Sequence, residues 1–240
     1  IKTLARETIF ENNYAGMVVL GPGKRIIDYN KAARRFFEAM NISLTNCPVE
    51  QVLSREPELL EVFESKCNRY FSLVIDGEER FFEIDAMPLG GPHDGNTRML
   101  KSIRDITKER KIQEKLKYLA TTDTLSGLCN RAEFMNLAKR EFDLAKRNNE
   151  RVSLMIMDLD NFKNINDTFG HAAGDEIIRE MGRIITASFR ETDIYGRLGG
   201  EEFAVVLKNT SLEEAKKAAE RVREITAGRK VIYGEDEISF

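Results

Sequence analysis

Tyr195-Gly196-Arg197-Leu198-Gly199-Gly200-Glu201-Glu202-Phe203-Ala204-Val205-Val206-Leu207 sets two adjacent glycines and two carboxylates at one sharp reversal, with an apolar strand directly behind them. Adjacent glycines between strand-like runs read as a hairpin, because a residue without a Cβ tolerates the positive φ of so tight a turn. The missing side chains also let a ligand approach the backbone. Taken alone, a surface hairpin with solvated acids is the plainer account of this stretch.

A second acidic stretch changes that balance. Asp158-Leu159-Asp160-Asn161-Phe162-Lys163 follows the apolar run Val152-Ser153-Leu154-Met155-Ile156-Met157, which reads as a buried strand ending in acids. Strand side chains alternate, so Asp158 and Asp160 share a face, and pairing with the hairpin would bring Asp158 beside Glu201. Such carboxylates suit magnesium, which takes one or two of them together with substrate phosphates, so a nucleoside triphosphate would complete the shell. Lys163 would then meet the phosphates. Singly, the aspartates are explained by a strand-end turn and Lys163 by a solvated surface. Together they favour a site.

Four separated motifs make the C-terminal half resemble the GGDEF family of diguanylate cyclases, here spelled Gly199-Gly200-Glu201-Glu202-Phe203. Asp123-Thr124-Leu125-Ser126-Gly127-Leu128-Cys129-Asn130-Arg131 is similar to the family's opening motif, with Ser126 where threonine is commoner. Phe162 to His171, closed by Gly174-Asp175, resembles its nucleotide loop, and Arg190-Glu191-Thr192-Asp193 has the spacing of its inhibitory Arg-x-x-Asp product site. The resemblance implies Asp158, the Leu159 carbonyl and Glu201 as ligands of Mg2+ (or Mn2+), and Asn166 and Asp175 as partners of guanine. Those residue types suit guanine, since an Asn amide both donates and accepts while an ionised Asp accepts from the N1–H and amino donors. It further implies that Lys163 stabilises triphosphate charge, that Phe162 and His171 shape the pocket, and that Gly199 and Gly200 admit the substrate. Glu201 or Glu202 would help deprotonate the attacking 3′-hydroxyl. A satisfied loop histidine also accounts for His171, a core aromatic for Phe162, and a surface ion pair for Arg190 and Asp193.

The chain has 240 residues, enough for two cores, and its 42% hydrophobic and 32% charged content is ordinary for soluble globular protein. A net charge of −3 argues against a nucleic-acid surface. Cys47, Cys67 and Cys129 are odd in number and far apart, which suggests neither a disulfide framework nor a zinc site and fits reduced thiols in the cytoplasm. No apolar run approaches the ~20 residues needed to cross a bilayer. A chain starting at Ile1 reads as a fragment, so membrane attachment through a preceding region stays open.

The first domain, residues 1–107, orders its signals differently. Met17–Leu20 and Arg25–Tyr29 read as a hairpin around Gly21-Pro22-Gly23-Lys24. Asn30 can cap a helix whose Ala33, Phe36, Phe37 and Met40 would face a core, and Glu58 to Lys66 continues helically. Strands follow at Tyr70–Asp76, Arg80–Met87 and Arg98–Arg104, an order that resembles a PAS sensor domain. Arg104-Asp105-Ile106-Thr107 is similar to the Asp-Ile-Thr ending that joins many PAS domains to an output helix. Asn46-Cys47 resembles part of a flavin-linking motif, but the Pro48-Val49-Glu50-Gln51 behind it departs from that pattern, so an ordinary thiol is expected. His93 sits in a turn-like glycine-rich segment and is read as a loop histidine, so the PAS ligand is unknown.

Residues 108–121 form a charged linker in which Ile112, Leu116 and Leu119 recur four and then three apart, giving either a short coiled-coil seam or a single amphipathic helix. Its charges describe a solvated helical face. In residues 122–240, helices at Glu133–Arg147, at Ile177 to Phe189 and after the capping-box pattern at Ser211 alternate with strands. The expected fold class is α/β (α+β), a PAS domain followed by a palm-like cyclase domain of mixed sheet packed with helices. The family continues past the point where Ile238-Ser239-Phe240 ends, so a C-terminally truncated domain is expected. The resemblance implies a PAS-regulated diguanylate cyclase that acts as a homodimer, joining two GTP into cyclic di-GMP with release of two pyrophosphates and inhibition by its product. The competing classes are a nucleotide- or cyclic di-GMP-binding sensor without turnover, and a palm-fold cyclase or polymerase using another nucleotide.

Overall fold

In the computed structural model, which describes residues 2–44, 46–65, 67–89 and 98–240, the chain divides into two compact units, Ile1–Gln113 and Glu114–Phe240. The first opens with α1 (Lys2–Glu11) and builds one antiparallel sheet from β1 (Gly16–Leu20), β2 (Ile26–Tyr29), β3 (Arg69–Ile75), β4 (Glu78–Leu89) and β5 (Arg98–Asp105), in the order β2-β1-β5-β4-β3. Between β2 and β3 run α2 (Lys31–Glu38), α3 (Val49–Val52) and α4 (Pro57–Glu64). The Asn30 side chain starts α2 by accepting from the Ala33 N–H at 2.9 Å, and also accepts from Met17 N–H at 2.8 Å, which ties the helix to β1. Alternation turns Val18, Phe82, Ile84 and Ile103 toward a core filled by Phe37, Leu53, Leu59 and Phe63.

One cation lies within that core. Lys101 is 2% exposed, on the same face of β5 as Ile103, and its ammonium donates to the Ser65 carbonyl at the end of α4. Burial, reinforced by nearby Lys24, pushes its pKa down. Cys47 and Cys67 form no disulfide among the described residues, and His93, expected as a loop histidine, lies outside them.

The Asp105-Ile106-Thr107 ending is bound to β4. Phe81 N–H donates to Thr107 Oγ1 at 2.9 Å, Ile106 N–H donates to the Phe81 carbonyl at 2.9 Å, and the Arg110 guanidinium lies 4.2 Å from the Phe81 ring centroid. From there α5 (Thr107–Thr121) buries none of its residues and leaves Ile112, Leu116 and Leu119 exposed along one side.

In the second unit, β6 (Val152–Asp158), β7 (Ile194–Gly199) and β8 (Glu202–Lys208) pair antiparallel in the order β6-β8-β7. The sheet, expected to be mixed, has as its parallel element among the described residues an isolated bridge, Cys129↔Gly196. α6 (Arg131–Asn148) covers one face through Phe134 against Ala204 and Val206. α7 (Phe162–Phe169) leads into α8 (His171–Ser188), which packs with α9 (Leu212–Ala227) on the other face, against Phe203, Val205 and Leu207. A separate hairpin of β9 (Lys230–Tyr233) and β10 (Asp236–Ser239) closes the order. Ser211 and Glu214 form the capping box of α9.

Several readings need correction. The strand expected to be buried is an edge strand of this sheet, with Leu154 61% and Ile156 64% exposed. The segment from Phe162 expected as a loop is helical, and Asp175, expected to close that loop, lies in the second turn of α8. α8 stops at Ser188, where extended Phe189 breaks it, so Arg190 stands just beyond the helix. Leu212, in the first turn of α9, is exposed, while Ala215 and Val222 are buried.

Glu180 joins α8 to the entrance of β9. Its carboxylate, 8% exposed by residue, accepts from Arg183 Nη1 at 2.8 Å and from Arg229 Nε at 2.6 Å. Hydrogen bonds from Arg183 and Arg229 outweigh burial and hold its carboxyl below the ordinary 4.5. A carboxyl depressed by folding stabilises the fold above its unfolded pKa, and that contribution is lost as pH falls through the folded value. Glu180→Gln is therefore expected to cost the second unit about 1–3 kcal/mol at pH 7, read from urea unfolding, with the gap to wild type closing as the medium is acidified below pH about 4.

Candidate active site

The register of the sheet builds the acidic end of the site. Asp158 closes β6 directly opposite Glu202, the first residue of β8, and Met157 lies opposite Phe203. Glu201, expected beside Asp158, instead sits one residue earlier, in the turn joining β7 to β8. That turn holds two positive φ values in succession, +149° at Gly199 and +53° at Gly200, where any side chain would be strained. Phe203, wholly buried behind the acids, anchors the strand, and its truncation to Ala would cost about 3–5 kcal/mol. Asp158, Asp160 and Glu202 are exposed and Glu201 is half-buried.

The donor set is incomplete by itself. Among the described residues no group of three or more His, Cys, Asp or Glu side chains converges to hold a metal. Two or three carboxylates at one strand end, with the Leu159 carbonyl accepting from Phe162 N–H at 3.4 Å, nevertheless fit a hard cation that takes its remaining oxygens from water or phosphate.

Helix α7 gives Phe162, Lys163 and Asn166 fixed places. Phe162 and Asn166 are one turn apart on the same face, and both meet Gly174 of α8. A Cβ on Gly174 would stand 2.0 Å from Asn166 Oδ1 and 3.1 Å from Phe162 Cζ, so glycine is required for the two helices to approach this closely. Asp175, the next residue, is exposed. Lys163 is exposed in the first turn of α7, and His171 is exposed at the first position of α8. A cleft of about 310 Å³ opens next to the strand end, lined by Asp158, Leu159, Asp160, Val222, Arg223 and Phe240. Asn166, Asp175 and Glu201 do not line it.

Arg190 and Asp193 form a second locus. Asp193 Oδ2 accepts from Arg190 N–H at 3.1 Å and Oδ1 from Lys208 N–H at 3.3 Å, so the carboxylate pins the chain between α8 and β7. A cavity of about 240 Å³ opens there, and Arg221 of α9 lines it together with Arg190 and Asp193. Arg221 also donates to the Ser188 carbonyl at 3.1 Å. The sequence reading missed Arg221, which is distant in the chain and falls among the many charges of α9.

The family described as "Diguanylate cyclase, GGDEF domain" matches residues 120–239, and a PAS domain matches residues 7–74. The chain is 39% identical over 123 residues to the probable diguanylate cyclase DgcC of Escherichia coli, covering 51% of this chain and 33% of the relative. It is 28% identical over 224 residues to the diguanylate cyclase DgcM of the same organism, covering 89% of this chain and 54% of the relative. Thus the chain spans about a third to a half of the length of these curated relatives. Among solved structures, the coiled coil and GGDEF domain of DgcB from Caulobacter crescentus, in complex with c-di-GMP, is similar with a TM-score of 0.52 and 27% identity, covering 56% of this chain and 70% of that one. No helix among the described residues is long and apolar enough to cross a membrane. With its opening motif, its paired acids and its Gly199-Gly200 turn all inside the matched segment, the chain belongs to the GGDEF family and carries a PAS domain ahead of that domain.

Proposed function

We propose that the protein is a diguanylate cyclase that condenses two GTP into cyclic di-GMP and two pyrophosphates. The observation that carries this reading is the placement of Asp158 opposite Glu202, at the end of the sheet where the Gly199-Gly200 turn presents Glu201. Asp158, the Leu159 carbonyl and Glu201 would hold Mg2+ or Mn2+, which when bound neutralises triphosphate charge. Lys163, at the uncapped start of α7, favours the same anion by its own charge and by the helix end. Asn166 and Asp175 would read the guanine edge, with Phe162 and His171 as walls, and Gly199 and Gly200 leave room for the substrate. Glu201 or Glu202 would accept the proton of the attacking 3′-hydroxyl.

Each subunit would hold one GTP, so two copies must meet with their half-sites facing. The exposed Ile112, Leu116 and Leu119 of α5 support a homodimer through the linker, and the PAS domain, its ligand unknown, would regulate turnover by setting that alignment. Cyclic di-GMP would bind at Arg190 and Asp193, with the guanidinium as a bidentate donor to phosphate or to the guanine Hoogsteen edge. Arg221, on the wall of the same cavity, adds a second guanidinium for that anion.

Glu201→Gln, which nearly preserves shape while removing a charged ligand, is expected to abolish cyclisation and leave the thermal midpoint unchanged. Wild-type turnover of that variant at limiting magnesium would refute the ligand assignment.

Gly174→Ala drives a methyl group into Asn166 and is expected to weaken GTP binding about tenfold or more, with a smaller effect on ATP, in a binding titration. Equal losses for both nucleotides would show that the α7–α8 contact supports the loop without reading guanine.

Arg190→Ala is expected to leave the initial rate of cyclisation nearly unchanged and to raise the product concentration required for half-inhibition. Unaltered inhibition would leave Arg190 and Asp193 with the backbone-pinning role alone.

A further inference from the structure

The Gly199-Gly200 turn has no side chains of its own to hold it, and glycine pairs at positive φ are the most freely reoriented peptides in a chain. Something outside the turn must fix the peptide from which Glu201 projects. Arg197 does this from two residues before the turn. Its Nε donates to the Gly200 carbonyl at 2.9 Å, and its Nη1 reaches both Asp123 carboxylate oxygens at 3.2 and 3.3 Å. The Gly200 carbonyl and the Glu201 N–H belong to one planar peptide unit, so holding the oxygen orients the backbone of Glu201.

The anchor is itself rigid. Asp123 Oδ1 accepts from the Ser126 N–H and hydroxyl, each at 2.8 Å, and the Asp123 N–H donates to the Leu128 carbonyl at 2.8 Å. Partial burial raises the Asp123 carboxyl, but the Ser126 hydrogen bonds and the Arg197 guanidinium outweigh it and leave it below the ordinary 3.8. On one side Gly182 of α8 comes so close that a Cβ there would stand 2.1 Å from the Ser126 carbonyl oxygen. On the other, Asn130 Nδ2 donates to the Ala120 carbonyl of α5 at 2.8 Å, and Arg197 N–H donates to the Cys129 carbonyl at 2.9 Å. The loop from Thr122 to Asn130 thus joins the end of α5 to the hairpin through the Arg197 side chain.

We propose that Arg197 is a positioning residue: it clamps the Gly200 carbonyl against Asp123, and so sets where Glu201 stands. The consequence for turnover rests on the cyclase reading, but the clamp itself does not. A planar guanidinium donates in two directions from one rigid fork, which an ammonium cannot reproduce, so lysine should not replace it.

The test compares wild type with Arg197→Ala and Arg197→Lys in the whole chain, by amide hydrogen exchange and by steady-state kinetics with GTP and magnesium. In Arg197→Ala the amides of Gly199 to Glu202 are expected to exchange about tenfold faster or more, while those of α8 and the interior of β8 keep their protection. kcat should fall about tenfold or more with KM changed less than about threefold, and Arg197→Lys should restore neither. Should Arg197→Ala not fold, Asp123→Asn, which weakens the charge and keeps an acceptor, is expected to give the same exchange pattern to a smaller degree. Unchanged exchange at the turn in a folded variant overturns the clamp, as does a loss of protection spread evenly over the domain. Wild type that forms no cyclic di-GMP overturns the cyclase reading instead, and leaves the exchange comparison to decide on Arg197.

Discussion

The ladder between β6 and β8 puts Asp158 and Glu202 on adjoining strand ends, and the positions of the other candidate residues follow from it. Backbone hydrogen bonds fix this pairing, and a slip by one residue would send Phe203, Val205 and Leu207 out of the core. That cost secures the register far better than any attraction between the acids, which repel one another until a cation or a proton intervenes. The apolar strand behind the acids therefore holds them together against their own electrostatics. Extended strand ends also leave the carboxylates of Asp158 and Glu202 exposed.

The remaining parts meet this frame through close approaches that only glycine allows. Gly174 lets α7 and α8 come together with Phe162 and Asn166 at the contact, and Gly182 lets the opening loop lie on α8. Gly196 admits the Cys129 carbonyl and the Phe134 ring against β7. Each contact joins two separate segments of the chain, and each is intolerant of one added carbon. The acids and helices α7 and α8 belong to the second unit, whereas the PAS unit has its own core, filled with aromatic rings around Phe36, Phe71 and Phe82.

Much of this was legible in the sequence because short apolar runs bounded by glycine or acid have few readings. The strands at 152–158 and 202–208 and the capping box at Ser211 and Glu214 follow from local pattern. α7 was not legible as a helix, since Asn164, Asn166, Asp167 and Thr168 are poor helix formers and Ile165 is its one buried residue. The helix forms because Gly174 and α8 receive it, a tertiary fact. An apolar run likewise does not tell whether both its faces are covered, which is why Leu154 and Ile156 were expected inside. Pairing across long separations is invisible to pattern: Arg197 finds Asp123 74 residues earlier, and Arg221 reaches the Asp193 cavity from another helix.

The central claim is that these residues join two guanine nucleotides, and it is tested most directly by identifying the product. The full-length protein incubated with GTP and magnesium, and separately with ATP, can be followed by mass spectrometry with pyrophosphate counted in parallel. The account predicts cyclic di-GMP with two pyrophosphates per molecule formed, from GTP alone, at a rate that rises faster than linearly with protein concentration where monomers prevail. Tight GTP binding without product in a dimeric sample, or an equal yield of a cyclic product from ATP, would contradict it.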